Sequence, residues 1–115
     1  GGSGSDVVIT GDTGTTMTVT TGVEILVGGA GSDLITLGSS GNTVLLRGIE
    51  SLTGGSGDDV VTIGDTGTSM TVGAVETLTG GAGFDLITLA DGGSTIAVGG
   101  LESLIGGSGS DVVTL

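Results

Sequence analysis

The feature that most constrains this chain is a repeat of 26 residues. A phrase of glycines followed by one aspartate recurs five times, at intervals of 27, 26, 26 and 26 residues. The aspartates are Asp6, Asp33, Asp59, Asp85 and Asp111. A fixed period of this size is typical of solenoids, in which each repeat stacks on its neighbour and none is stable alone.

Each repeat contains three segments. They are a glycine-rich turn with a strand (GGSGDDVVTI, 54–63), a smaller turn with a strand (GDTGTSMTV, 64–72), and a bend leading into VETLT (75–79). Val, Ile and Thr favour strands, and no run has the spacing of a helix. We therefore predict an all-β fold, a parallel β-solenoid (β-roll or β-helix) with about 26 residues and three short strands per coil. A flattened, two-sided coil is the alternative.

This pattern makes residues 1–115 a single solenoid segment of about four and a half coils. The repeats are 1–27, 28–53, 54–79, 80–105 and 106–115. Both ends fall inside the repeat phrase, so we expect the segment to belong to a longer array.

Alternation along the strands predicts which side chains point inward. The predicted inward positions form six columns, two with a residue from all five repeats and four with a residue from each of the first four repeats. They are Val8, Ile35, Val61, Ile87 and Val113; Thr10, Leu37, Ile63, Leu89 and Leu115; Met17, Val44, Met70 and Ile96; Val19, Leu46, Val72 and Val98; Val23, Ile49, Val75 and Leu101; and Leu26, Leu52, Leu78 and Leu104. Stacked coils would bury these columns in a narrow aliphatic core.

The charge of the chain is strongly negative. It has 13 acidic residues, one base (Arg47), no His and no Cys, for a net charge of −12. Such a surface repels nucleic acid and anionic lipid, so we expect no nucleic-acid partner and no membrane insertion. The oxygen donors that remain suit hard cations such as calcium. The serines have no His or Lys to act as a base, so we predict no catalytic residues and no enzyme activity.

The glycine phrase matches the pattern G-G-x-G-x-D-x-U-x, where U is a large aliphatic residue, at 1–9, 28–36, 54–62, 80–88 and 106–114. It resembles the calcium-binding nonapeptide of the RTX (repeats-in-toxin, haemolysin-type) family, here in a variant with a 26-residue period. The resemblance implies a right-handed roll in which the side chains of the five aspartates bind calcium. It also implies ligation by backbone carbonyls of the same turns, namely those of Gly1, Ser3, Gly4, Gly28, Ala30, Gly31, Gly54, Ser56, Gly57, Gly80, Ala82, Gly83, Gly106, Ser108 and Gly109.

Stacking of the five glycine turns would leave up to four gaps, and we expect up to four Ca²⁺ ions in them. Carboxylates about 5 Å apart repel one another by about 1 kcal/mol even in water, and a cation between them reverses that interaction. We therefore expect the chain to fold and become rigid when calcium binds. The alternative is that each aspartate only caps its own turn by a hydrogen bond.

Three further columns carry weaker signals. Glu24, Glu50, Glu76 and Glu102 form a secondary cation column or a solvated ladder. Val7, Leu34, Val60, Leu86 and Val112 would form an exposed apolar stripe, an interface for side-by-side association, unless their face is misassigned. Thr36, Thr62, Thr88 and Thr114 raise the alternative of an ice-binding face.

The resemblance implies a secreted bacterial protein, located outside the cell or on its surface and exported by a type I route. We expect a structural segment of an extracellular filament, a surface (S-) layer or a large adhesin, which associates with itself end to end or side by side. The alternative is the secretion and folding module of an exported enzyme such as a protease or lipase, and an ice-binding solenoid is the third hypothesis.

Overall fold

The computed structural model describes all 115 residues and contains thirteen short strands and no helix. No segment forms a helix that could cross a membrane. The strands are β1 (Val7–Ile9), β2 (Thr16–Val19), β3 (Ile25–Val27), β4 (Leu34–Leu37), β5 (Thr43–Arg47), β6 (Ser51–Thr53), β7 (Val60–Ile63), β8 (Ser69–Gly73), β9 (Thr77–Thr79), β10 (Leu86–Leu89), β11 (Thr95–Gly99), β12 (Ser103–Ile105) and β13 (Val112–Thr114).

The strands form two parallel sheets that face each other. The odd-numbered strands make a seven-stranded sheet in the order β1-β3-β5-β7-β9-β11-β13, and the even-numbered strands make a six-stranded sheet. Every neighbouring pair is parallel, for example Val60 of β7 beside Thr77 of β9. The prediction of an all-β parallel solenoid is confirmed.

The predicted coil, however, is wrong. Each coil has two strands and about 17 residues, so the chain makes about six coils instead of about four and a half. The two-sided alternative is the observed one. The physical reason lies in the core, because two sheets packed about 10 Å apart are filled by Val, Leu, Ile and one buried methionine, Met70. A three-sided coil would enclose a wider axial space, and the chain has no large aromatic side chains to fill it, since Phe84 is its only aromatic residue.

Each repeat has three strands, whereas each coil has only two. The glycine turns of successive repeats therefore lie on opposite edges of the roll. We call the edge where the chain passes from the seven-stranded to the six-stranded sheet the first edge, and the other the second edge. The glycine turns 28–33 and 80–85 lie on the first edge, and the glycine turns 1–6, 54–59 and 106–111 lie on the second. The five glycine turns therefore do not form one stack.

Two other kinds of turn separate the glycine turns on each edge. We call 10–15, 38–42, 64–68 and 90–94 the small turns, and 20–24, 48–50, 74–76 and 100–102 the glutamate turns. Along either edge the order is small turn, glycine turn, glutamate turn, and then the cycle begins again. Each glycine turn within the roll thus lies between two turns of different kinds.

The core contains eighteen buried apolar residues, and every one of them belongs to the predicted inward set. The predicted columns are nevertheless wrong, because neighbouring strands come from different segments of the repeat. Val44, Val61, Leu78 and Val98 are neighbours in one column, whereas the sequence predicts them in four different columns. At the end of the chain, Val113 and Leu115 are 37% and 98% exposed.

The two predicted outer columns also divide between the sheets. Val7, Val60 and Val112 point outward from the seven-stranded sheet, and Leu34 and Leu86 lie on the six-stranded sheet. Thr43 and Thr77 flank Val60, so no continuous apolar stripe forms. The threonine column divides in the same way, with Thr36 and Thr88 on one sheet and Thr62 and Thr114 on the other.

Candidate functional site

The aspartates of the three inner glycine turns are buried. Asp33, Asp59 and Asp85 are 0–1% exposed, whereas Asp6 and Asp111, near the ends, are half-buried. The chain contains one basic residue, Arg47, and it is exposed. A buried carboxylate is stable only where hydrogen bonds or a cation replace the lost water.

Backbone N–H groups of the preceding coil supply some of the hydrogen bonds that each buried carboxylate loses when it leaves water. Oδ1 of each aspartate after the first accepts the N–H of the last residue of the small turn before it. The donors are Thr15 to Asp33, Asn42 to Asp59, Thr68 to Asp85 and Ser94 to Asp111, at 2.8–2.9 Å. Hydrogen bonds to a charged acceptor are about twice as strong as neutral ones, so each one joins two coils firmly.

The other carboxylate oxygen turns toward the first glycines of its own turn. Oδ2 of Asp6, Asp59 and Asp85 accepts the N–H of Gly2, Gly55 and Gly81 at 2.7, 3.0 and 3.1 Å. Oδ2 of Asp33 is buried and has no hydrogen-bond partner. This oxygen is the one orphaned buried side-chain atom of the chain.

The glutamate turn of the following coil contacts the same aspartate from the other side. The N–H of each aspartate donates to Oε2 of a glutamate, in the pairs Asp6–Glu24, Asp33–Glu50, Asp59–Glu76 and Asp85–Glu102, at 2.7–2.8 Å. The carbonyl oxygen of Asp33 also accepts the N–H of Glu50 and of Ser51. The glutamates therefore lie one coil after the aspartates on the same edge, and not in a separate column.

The first glycine of each of the four glycine turns that precede a glutamate turn makes room for this neighbour. A Cβ atom on Gly54 would stand 1.6 Å from the carbonyl oxygen of Ala74 and 2.6 Å from Oδ2 of Asp59. Gly28 has the same surroundings, with Gly48 O at 1.7 Å and Asp33 Oδ2 at 2.6 Å. Only glycine allows the two turns to approach so closely.

Two similar cavities, of about 430 and 460 Å³, lie on the second edge. One is lined by Glu24 and the small turn that ends at Asn42, and the other by Glu76 and the small turn 90–94. None of the five glycine-turn aspartates lines them. Both cavities are thus on the far side of the glutamate turn from the aspartate.

Asp91, in the last small turn, is exposed and has a different role. The backbone N–H of Ser108 donates to its Oδ1 at 2.8 Å. That hydrogen bond, with a second from the Ser108 side chain, holds the pKa of Asp91 below its ordinary value. Because the lowered pKa favours the ionised form in the fold, this contribution to stability is present at neutral pH and is lost only as the pH falls through that value.

Sequence reasoning identified the aspartates and the glutamates but missed their donors. The donors Thr15, Asn42, Thr68 and Ser94 stand at the same place in each small turn, and all four have a polar side chain. That recurrence was a readable signal. The contact itself was not readable, because it joins residues 17 or 18 positions apart whose adjacency depends on the coil length.

The fold and these turns define a parallel β-roll whose acidic turns are fastened to both neighbouring coils. A family model describing the RTX calcium-binding nonapeptide repeat matches the chain in four copies, over residues 18–45, 46–62 and 72–94, which is more than half of its length. The chain belongs to this family, whose repeats are structural segments that bind calcium. Neither the curated proteins nor the solved structures that were compared contain a match.

The donor set of the glycine turns fits calcium in chemistry but not in the predicted arrangement. Carboxylate and carbonyl oxygens are hard donors, and the buried, unpartnered Oδ2 of Asp33 suits a cation. No three acidic side chains cluster together, so backbone carbonyls and water would supply most ligands. Ions between stacked glycine turns are not an arrangement that this fold can provide, because no two glycine turns are adjacent.

Proposed function

We propose that this chain is a calcium-stabilised structural segment of a secreted bacterial filament, surface layer or large adhesin, and that it has no catalytic role. The observation that carries the proposal is the recurrence, in a chain of the RTX family, of a buried aspartate without a basic partner at each inner glycine turn. Repetition of one acidic turn along a roll supports a role in ion binding and rigidity.

Electrostatics support a role for the cation in folding. The net charge of −12 resides on a roll with extents of only 35 × 27 × 22 Å. Repulsion within such a molecule destabilises its compact form, and a divalent cation that binds only the folded chain offsets that cost. Low calcium would thus keep the chain loose, and calcium at millimolar concentration would order it.

The proposed location is outside the cell or on the bacterial surface. The resemblance of the repeats to RTX segments supports export in an unfolded state, followed by folding where calcium is abundant. The absence of cysteine is compatible with that route, since the fold needs no disulfide. Exposed apolar side chains such as Val7, Ile9 and Val112 support association between copies.

Circular dichroism of the full chain, in calcium and in a chelator, tests the proposal. We expect the β-sheet signal to appear as calcium is added, and to appear far less with magnesium at the same concentration and ionic strength. An unchanged β spectrum in the chelator would contradict it.

A matched pair of triple variants separates ligation from simple charge. Replacement of the buried aspartates (Asp33→Asn, Asp59→Asn and Asp85→Asn) should remove most of the response to calcium. The same substitution at three exposed acids, Asp12, Asp58 and Asp65, removes equal charge and should preserve the response. Equal behaviour of the two variants would argue against a calcium role for the glycine turns. Light scattering with and without calcium then tests whether the ordered chains associate.

A further inference from the structure

The spacing of the glycine turns excludes a calcium ion held between two of them. On each edge, a glutamate turn and a small turn intervene, so successive glycine turns are three strand spacings apart, about 14 Å. Calcium binds oxygen at about 2.3–2.6 Å, and one ion cannot bridge that distance. Any ion at a glycine turn must share it with a turn of another kind.

The carboxylate of Asp33 indicates which neighbour that is. Its Oδ1 is already occupied on the side of the preceding coil, where it accepts the N–H of Thr15 at 2.9 Å and approaches Oγ1 of Thr10 at 3.4 Å. Its Oδ2 is buried and accepts no hydrogen bond. An unpartnered charged oxygen inside a protein is unfavourable, and it marks a place where a ligand is expected.

The following coil brings further oxygens to this place. The point at which a Cβ of Gly28 would stand is 2.6 Å from Oδ2 of Asp33 and 1.7 Å from the carbonyl oxygen of Gly48. Glu50, two residues after Gly48, has its Oε2 at 2.8 Å from the nitrogen of Asp33. Glu50 is exposed, so solvent and an ion can reach the turn from its side.

We propose that a calcium ion binds between each glycine turn and the glutamate turn of the next coil. At the site defined by Asp33, the ligands are Oδ2 of Asp33, the carbonyl oxygen of Gly48 and the carboxylate of Glu50, with water completing the coordination. The inference rests on the proposed function, because it assumes that the chain binds calcium. It differs from the arrangement predicted from the sequence in two ways: glutamate is a ligand, and the ion does not lie between two glycine turns.

The same set of oxygens recurs at four places. The equivalents of Asp33, Gly48 and Glu50 are Asp6, Gly22 and Glu24; Asp59, Ala74 and Glu76; and Asp85, Gly100 and Glu102. In these three, Oδ2 also accepts an N–H from its own turn. Asp111 has no following glutamate turn in this chain and therefore has no site. The proposal thus assigns four sites, two on each edge.

Calorimetric titration of the full chain with calcium chloride tests the assignment. We expect four calcium ions to bind to the native sequence and three to bind to Glu50→Gln, because glutamine can still accept the N–H of Asp33 but carries no charge. Glu102→Gln, at the corresponding site on the same edge, should also lose one ion. The matched control is Asp111→Asn, which alters a glycine turn without a glutamate partner and should bind four ions. Circular dichroism at saturating calcium verifies that each variant folds.

The outcomes separate this inference from the proposed function. If the native chain binds calcium and both glutamine variants keep its stoichiometry and affinity, the glutamates are not ligands and the inference is overturned, while the proposed function stands. If Asp111→Asn loses an ion, the glutamate turn is not required and the inference is again overturned. If the native chain binds no calcium, both proposals fail. Should Glu50→Gln not fold, the result with Glu102→Gln decides the question.

Discussion

A single aspartate in this roll connects three consecutive coils. Asp33 accepts a hydrogen bond from Thr15 in the coil before it, and its N–H donates to Glu50 in the coil after it. Its main-chain oxygen accepts from that same following turn. The Asx-turn alternative for these residues is thus partly observed, since Asp59 and Asp85 also cap their own turns. Capping of the turn does not exclude the proposed binding of calcium by the same carboxylate.

Ala74 provides a test at the same scale. It is the only residue other than glycine with a positive φ, 51°, and it occupies the place held by Gly22, Gly48 and Gly100 in the other glutamate turns. A left-handed conformation costs a residue with a Cβ about 1–2 kcal/mol. Glycine removes that cost, but it also raises the conformational entropy of the unfolded chain, which offsets the gain in stability by about 0.4–1 kcal/mol. We expect Ala74→Gly to raise the free energy of unfolding by about 0.5 kcal/mol.

Urea unfolding at a fixed calcium concentration measures this change. The reverse substitution, Gly48→Ala, is the control, and it should lower the free energy of unfolding by at least about 1 kcal/mol. Its Cβ would also lie 3.0 Å from the carbonyl oxygen of Gly28. If Ala74→Gly were destabilising, the left-handed conformation at this position would be refuted.

At the scale of the elements, the turns, more than the strands, distinguish one coil from the next. The strands are only three to five residues long and their inward residues are interchangeable aliphatics. The turns follow a strict cycle in which a small turn donates to the aspartate and a glutamate turn accepts from it. Each glycine turn is therefore complementary to two different neighbours, and this complementarity sets the register of the stack.

Asn42 tests the small turn as an element. It is 9% exposed, and its Nδ2 donates to Oδ1 of Asp59 at 2.9 Å and to the carbonyl of Ser40 at 2.6 Å. We expect Asn42→Ala to lower the free energy of unfolding by about 1–2 kcal/mol, because both acceptors then lose a donor. Urea unfolding at fixed calcium gives the value.

Threonine is the matched replacement at this position. It occupies the same place in two other small turns, where Oγ1 of Thr15 and of Thr68 donates to the carbonyl two residues before it at 3.2 Å. Asn42→Thr keeps that bond within the turn, so we expect it to cost less than half as much as alanine. Equal losses for the two variants would mean that the side-chain bond to Ser40 is unimportant.

At the scale of the whole molecule, the important quantity is the ratio between the repeat and the coil. Three strands per repeat and two strands per coil mean that the arrangement returns to itself only after two repeats, or 52 residues, which make three coils. Successive repeats lie on alternate edges, so the acidic sites are distributed over both edges of the roll. The negative charge of these sites is therefore divided between the two edges.

Duplication of one segment tests this relation. Insertion of a second copy of residues 54–79 adds three strands and preserves the cycle of turns, so we expect a folded roll with a higher melting temperature, since each added coil contributes a further interface. By the assignment above, it should also bind one more calcium ion. Thermal unfolding followed by circular dichroism, together with calorimetry, measures both effects.

The control insertion is a second copy of residues 60–76, which corresponds to one complete coil. It adds two strands but no glycine turn, so two small turns become neighbours on the first edge and two glutamate turns become neighbours on the second, which breaks the cycle of turns. We expect it to lower the melting temperature despite the longer roll. A rise equal to that produced by the 26-residue insertion would show that the order of turns does not matter.

The sequence alone determined the strands, the turns and the side of each strand that is buried. All eighteen core residues were predicted because alternation within a strand is a local property of the backbone. The family, the acidic turn residues and the glycine positions were also readable, since a repeated motif needs no knowledge of its neighbours. Only the tertiary structure decided which turns meet. Two-sided and three-sided coils have the same alternation of inward and outward residues, and they differ in how the sheets fill the space between them. That packing separated the glycine turns from one another and placed a glutamate beside each aspartate that is followed by another coil.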